Sequence, residues 1–180
     1  PDQPNGGQRP FRPRDLPVPR CPVYAGTMST DFTRPSSQTV GALRRRVVDS
    51  RAELLADLSA LVAIPGIAWD SFDSADLDRS ADAVAGLLRE LPFDDVEVLR
   101  VPTAPDEKPG HPAVVARKAA ATGFPTILLY AHHDVQPPGR RELWETEPFE
   151  AVEKSGRLWG RGAADDKAGV MAHVGALRAF

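Results

Sequence analysis

The chain has 180 residues, 42% of them hydrophobic and 26% charged, with a formal net charge of −3, which bounds it to about one ordinary globular domain. No Lys/Arg stripe with interleaved aromatics runs through it, which argues against a nucleic-acid partner, and no apolar run reaches the ~18 residues of a membrane span. One cysteine, Cys21, excludes an internal disulfide framework and a Cys-rich zinc site. No basic start followed by an apolar core marks a secretory signal. The expected compartment is the cytoplasm.

Residues 1–39 hold eight of the 18 prolines and show no apolar period. Such a segment buries too little to offset its ordering entropy, so a disordered extension is expected, with Met28 as a candidate natural start. Residues 40–180 form the expected folded part. Leu43, Val47, Leu54, Leu58, Leu61 and Val62 recur at helical spacing, and Ile64-Pro65-Gly66 stops that helix. A second helix is predicted over Ala75–Leu91, ended by Pro92. Val96–Val101 alternates at period two and reads as a strand.

A Pro/Gly/charge loop follows over Pro102–Pro112, then a strand over Ala113–Lys118. The continuous apolar run Thr126–Ala131 has the pattern of a strand covered on both faces, and so of the sheet centre. Arg157–Gly160 reads as a short strand. Lys167–Phe180 reads as a helix with Val170, Met171, Val174 and Leu177 facing inward. This order predicts a layered α/β domain.

The chemistry-bearing residues lie between Tyr130 and Gly169. His132 and Asp134 stand at the C-terminal end of the apolar strand, where open α/β sheets bind ligands. Residues two apart in extended chain face one way, so His132 can bind a metal while Asp134 accepts its other N–H. By the same alternation His133 points away and reads as a packing or surface residue. Further on, Gly160-Arg161-Gly162 leads into Asp165-Asp166 just before the last helix. Adjacent carboxylates repel unless a cation lies nearby or they point apart. Trp144–Phe149 reads as a packed loop with an aromatic anchor. His111 and His173 have no motif around them and read as structural.

The run His132-x-Asp134-Val135-Gln136-Pro137, then Trp144 and Pro148-Phe149, then Gly160-Arg161-Gly162-x-x-Asp165-Asp166-Lys167 resembles a large zinc metallopeptidase family. It includes carnosinase-like dipeptidases, glutamate carboxypeptidase, acetylornithine deacetylase and succinyl-diaminopimelate desuccinylase. The likeness extends back through Leu61-Val62-x-Ile64-Pro65. Relatives usually carry Ser where Gly66 stands.

The resemblance implies the N-terminal part of a layered α/β/α catalytic domain of zinc exopeptidase type. It implies His132 as a metal ligand, Asp134 as the catalytic residue that orients it, and Asp165 as the carboxylate bridging two Zn²⁺ ions, with Co²⁺ or Mn²⁺ as substitutes. It implies a cis peptide bond after Asp165, and Lys167 as a local charge balance. The Val135-Gln136-Pro137 and Asp165-Asp166-Lys167 variants resemble the dipeptidase branch. Deacylase branches more often show Val-Val-Pro and Asp-Met-Lys. The implied substrate is a small peptide or, on the second reading, an N-acyl amino acid, and the implied full-length protein is a homodimer. The general-base Glu and the remaining ligands are expected beyond Phe180, so the 180 residues alone are expected to be inactive, or a non-catalytic remnant.

Overall fold

The computed structural model describes residues 35–102 and 109–180. Cys21, Met28 and the Pro-rich extension up to residue 34 lie outside the described residues, as does the 103–108 part of the predicted loop.

The first helix, α1, spans Ser37–Asp49, and the second, α2, spans Arg51–Val62. α1 starts ahead of the expected Val40 because Ser36 caps it, its Oγ accepting from the Thr39 N–H at 3.1 Å. That satisfies one of the donors a helix start leaves free. The single long helix predicted here is instead two. Ser50 donates its hydroxyl to the Val47 carbonyl at 3.2 Å, a local bond that competes with the helical ladder. The break lets both helices pack on the last one. It also leaves Val47 and Val48 exposed and no residue of α1 buried, contrary to the inward face expected for Val47.

α3 runs over Ser74–Arg89, capped by the Asp73 carboxylate on the Ala75 N–H at 2.9 Å. β1 (Asp95–Leu99) pairs antiparallel with β2 (Ala113–Arg117), setting Val96 opposite Ala116 and Val98 opposite Val114. β3 (Val152–Lys154) and β4 (Arg157–Trp159) form a second antiparallel pair. α4 covers Lys167–Ala179. The core gathers Leu58, Leu61 and Val62 of α2, Val84 of α3, Leu91, Ala163, and Val170, Met171 and Val174 of α4. α2, α3 and α4 each bury an apolar face, as their spacing predicted, whereas α1 buries none.

One prediction is corrected. Thr126–Ala131 is not a sheet-centre strand. Among the described residues it joins neither sheet, and Ile127, Leu128 and Tyr130 are 76%, 90% and 78% exposed. An apolar run becomes a strand only where a neighbour supplies a hydrogen-bond ladder. Here β1 and β2 pair with each other, and neither extends its free edge to this segment. The segment gains a partner only past its end, where Ile67 and Val135 make an isolated parallel bridge and Val135 N–H donates to the Gly66 carbonyl at 2.9 Å.

Candidate metal centre

The Ile67–Val135 bridge brings the turn after α2 beside residues 132–134. The approach to α4 brings in the other wall. Gly162 takes φ +85°, and a Cβ there would stand 2.6 Å from Val135 Cγ1. Only glycine combines that dihedral with so close an approach. The chain then reaches Asp165 and Asp166 through a cis peptide bond.

The structure brings all three expected site residues together. His132 Nδ1 lies 3.1 Å from Asp134 Oδ1 and 3.1 Å from the Asp134 carbonyl oxygen. His132 Nε2 lies 3.1 Å from Asp165 Oδ1. Partial burial pulls the His132 pKa down. The Asp134 carbonyl and carboxylate and the Asp165 carboxylate outweigh it, so the pKa sits above its ordinary value. With Nδ1–H donating to Asp134, a neutral ring turns the bare Nε2 toward Asp165.

The donor set fits a metal. Ligands at zinc–nitrogen and zinc–oxygen bond lengths lie about 3.1–3.4 Å apart for angles from about 95° to tetrahedral. The Asp165 side chain is 83% exposed, so its carboxylate keeps open lone pairs. Among the described residues no three His, Cys, Asp or Glu side chains form a group that could hold a metal ion.

Asp166 was not singled out from sequence. Its Oδ2 accepts the backbone N–H of His132 at 3.2 Å, tying the two walls together beside the His132–Asp165 contact. Gly169 is the signal that could have found it. A Cβ at Gly169 would collide with the Asp166 carboxylate, 2.7 Å from Cγ and 2.8 Å from Oδ2. Gly169→Ala should therefore displace Asp166 and loosen His132. In the full-length protein we expect a loss in kcat of about 10–100-fold, the usual effect of losing support for a metal ligand. Stability should change by no more than ~1 kcal/mol, since alanine favours the helix. Steady-state kinetics and denaturant unfolding check this, and unchanged kcat counts against the role of Asp166.

The other histidines separate as expected. His133 points away from His132. Its Nε2 lies 3.1 Å from the Pro112 carbonyl and its Nδ1 3.2 Å from Ser80 Oγ, and burial pushes its pKa down despite the Pro112 contact. His173 contacts the Tyr130 carbonyl at 2.9 Å, and His111 is exposed in a loop. Trp144 anchors its loop as read, its Nε1–H donating to the Pro138 carbonyl at 2.9 Å. The Arg161 guanidinium stacks 5.3 Å above its ring.

Lys167, expected as a local charge balance, does face the charge of Asp134, and it does more. It is fully buried, and its Nζ donates to the Leu61 and Ile64 carbonyls at 2.6 and 2.7 Å. Burial lowers its pKa to about 8. It holds the end of α2 and the turn leading to Gly66.

The layered α/β arrangement thus brings an imidazole and two aspartates together at a loop junction. Residues 128–180, which contain all of these groups, match the model of Peptidase family M20/M25/M40; the resemblance seen in the motifs is to this family. The chain is 40% identical over 101 residues to a cysteinylglycine-S-conjugate dipeptidase of Corynebacterium striatum, covering 56% of this chain and 21% of the relative. It is 24% identical over 151 residues to a Cys-Gly metallodipeptidase of Saccharomyces cerevisiae, covering 80% and 31%. Over 59 residues it is 48% identical to a succinyl-diaminopimelate desuccinylase of Xanthomonas euvesicatoria, covering 33% and 16%.

The crystal structure of human carnosine dipeptidase 1 superposes with a TM-score of 0.70 at 26% identity, covering 82% of this chain and 32% of that one. The fold is thus part of the α/β domain of these dipeptidases. The chain spans less than a third of the length of each of these relatives. Among the described residues no helix is long and apolar enough to cross a membrane.

Proposed function

We propose that this chain supplies one wall of a two-metal site in a cytoplasmic hydrolase that cleaves the amide bond of dipeptides. One observation carries the reading: a single imidazole stands between two carboxylates, Asp134 on Nδ1 and Asp165 on Nε2, each at 3.1 Å. Zn²⁺ is the ion in this reading, with Co²⁺ or Mn²⁺ able to replace it. The bound metal supplies a Lewis acid for the scissile carbonyl and an acidified water.

The chain's own residues prepare that position. Asp134 accepts Nδ1–H, which fixes the tautomer and aims Nε2 at Asp165. Asp165 offers an exposed carboxylate that would hold the metal together with His132 Nε2. Asp166 holds the His132 backbone from the opposite wall. The general-base Glu and the remaining ligands come, in this reading, from outside the 180 residues, which alone turn nothing over.

The 48% identity to a desuccinylase over 59 residues favours a second reading, an N-acyl amino-acid deacylase. The full-length protein loaded with zinc should hydrolyse dipeptides faster than N-acetyl or N-succinyl amino acids. Turnover of the acyl substrates alone would replace the dipeptidase reading by the deacylase one.

A further inference from the structure

Behind the metal-facing side of residues 132–134 lies a second cluster, on the face toward α3. Ser80 is completely buried. Its hydroxyl donates to the His133 carbonyl at 3.0 Å and lies 3.2 Å from His133 Nδ1. His133 Nε2 lies 3.1 Å from the Pro112 carbonyl. A carbonyl can only accept, so Nε2 carries the proton and Nδ1 is bare. The one Ser80 proton then faces two acceptors, both belonging to His133.

Gly66 completes the arrangement. Its carbonyl accepts the Val135 N–H at 2.9 Å, and a Cβ on it would stand 2.9 Å from Ser80 Cβ and 3.2 Å from Ser80 Oγ. The bare position at 66 is what lets Ser80 reach His133. Backbone and side chain of His133 are therefore gripped from α3 and from Pro112, and residue 135 is gripped from the α2 turn. Asp134 lies between these two fixed points, and His132 directly precedes the first of them.

We infer that Ser80 and His133 are positioning residues that fix the aim of His132 and Asp134 at the metal site, and that Gly66 is bare to admit Ser80. The inference rests on the reading of His132 and Asp165 as metal ligands. Supports one step removed from a ligand govern its orientation and basicity, and losing one weakens metal binding by about 10–100-fold.

The test is Co²⁺ binding to the full-length protein, followed by its visible ligand-field bands and by chelator competition. Ser80→Ala keeps a good helix former and should fold. It is expected to weaken Co²⁺ binding at least tenfold and to alter the band shape. His133→Ala should do the same. His133→Gln retains a donor near the Nε2 position and should recover binding to within about threefold of the parent, following the same support argument. Gly66→Ala should resemble Ser80→Ala, because its methyl displaces the serine. Parent-like affinity and bands in both Ser80→Ala and His133→Ala, with only the melting temperature lowered, would overturn the inference. A parent whose Co²⁺ binding is indifferent to His132→Ala would remove the metal-site reading, and the inference with it. In that case the failure shows in the His132 control, not in the Ser80 series.

Discussion

Asp165→Ala in the full-length protein is expected to lower kcat/KM by about three orders of magnitude or more and to reduce the bound metal. Each tenfold in rate is about 1.4 kcal/mol, and a metal that polarises a carbonyl contributes several kcal/mol to the transition state, so its loss reaches that scale. Asp165 is the residue to remove because no described neighbour can replace it. Asp134 already faces the other ring nitrogen of His132, and Asp166 is bound to the His132 backbone. His132→Ala should be as damaging. The double variant should be scarcely worse than either single one, since groups that act as a unit lose their joint effect once. Steady-state kinetics with metal analysis of the purified variants checks all three. Near-normal turnover with full metal content in either single variant would refute the ligand assignment.

Why was this pair legible from sequence when parts of the fold were not? His132 and Asp134 stand two apart in one short motif, whereas Asp165, 33 residues from His132, was placed beside it by the family resemblance. Strand alternation was enough to put His132 and Asp134 on one side and His133 on the other, and the side chains divide that way. Helices were legible for a similar reason: Leu77, Ala81 and Val84 recur at the helical period and are buried. The failures are non-local. The apolar content of Thr126–Ala131 records a tendency to be covered, but a strand also needs a partner ladder, and that depends on which other segments lie alongside.

Ser50 shows a subtler limit. One hydroxyl competing for a carbonyl splits a stripe that looks continuous. The Ser80–His133 contact joins residues 53 apart in sequence, and nothing in either neighbourhood announces it. Gly66 was visible as a departure from related sequences, yet its meaning emerges only with Ser80 standing where its side chain would be. Lys167 was read by its charge, whereas its length decides its place: only a long side chain reaches from the start of α4 to the end of α2.

That reach sets the second large effect. Lys167→Met keeps nearly the same volume and an unbranched stem, so it should leave no large cavity. What it removes is the ammonium that gives the Leu61 and Ile64 carbonyls a second, charged donor. Each carbonyl keeps one backbone donor, the Ile64 N–H on Leu61 at 3.1 Å and the Gly66 N–H on Ile64 at 2.9 Å, so what is lost is two hydrogen bonds from a charged donor, about 1.5–3 kcal/mol each. Methionine offsets part of this, because burying a thioether is easier than burying an ammonium. The expected net loss for the two acceptors is about 2–4 kcal/mol of unfolding free energy.

Denaturant titration of the full-length protein should show a lower midpoint at an unchanged slope, the mark of a stability change without a change in exposed surface. The same carbonyl turn carries Gly66 to Val135, so metal affinity should fall along with stability. Lys167→Arg should not repair it: Nζ is fully enclosed, and a planar guanidinium needs more room than an ammonium. A Lys167→Met protein as stable as the parent would show that the backbone donors on the two carbonyls suffice, and that Lys167 is not what fastens α4 to the turn before Gly66.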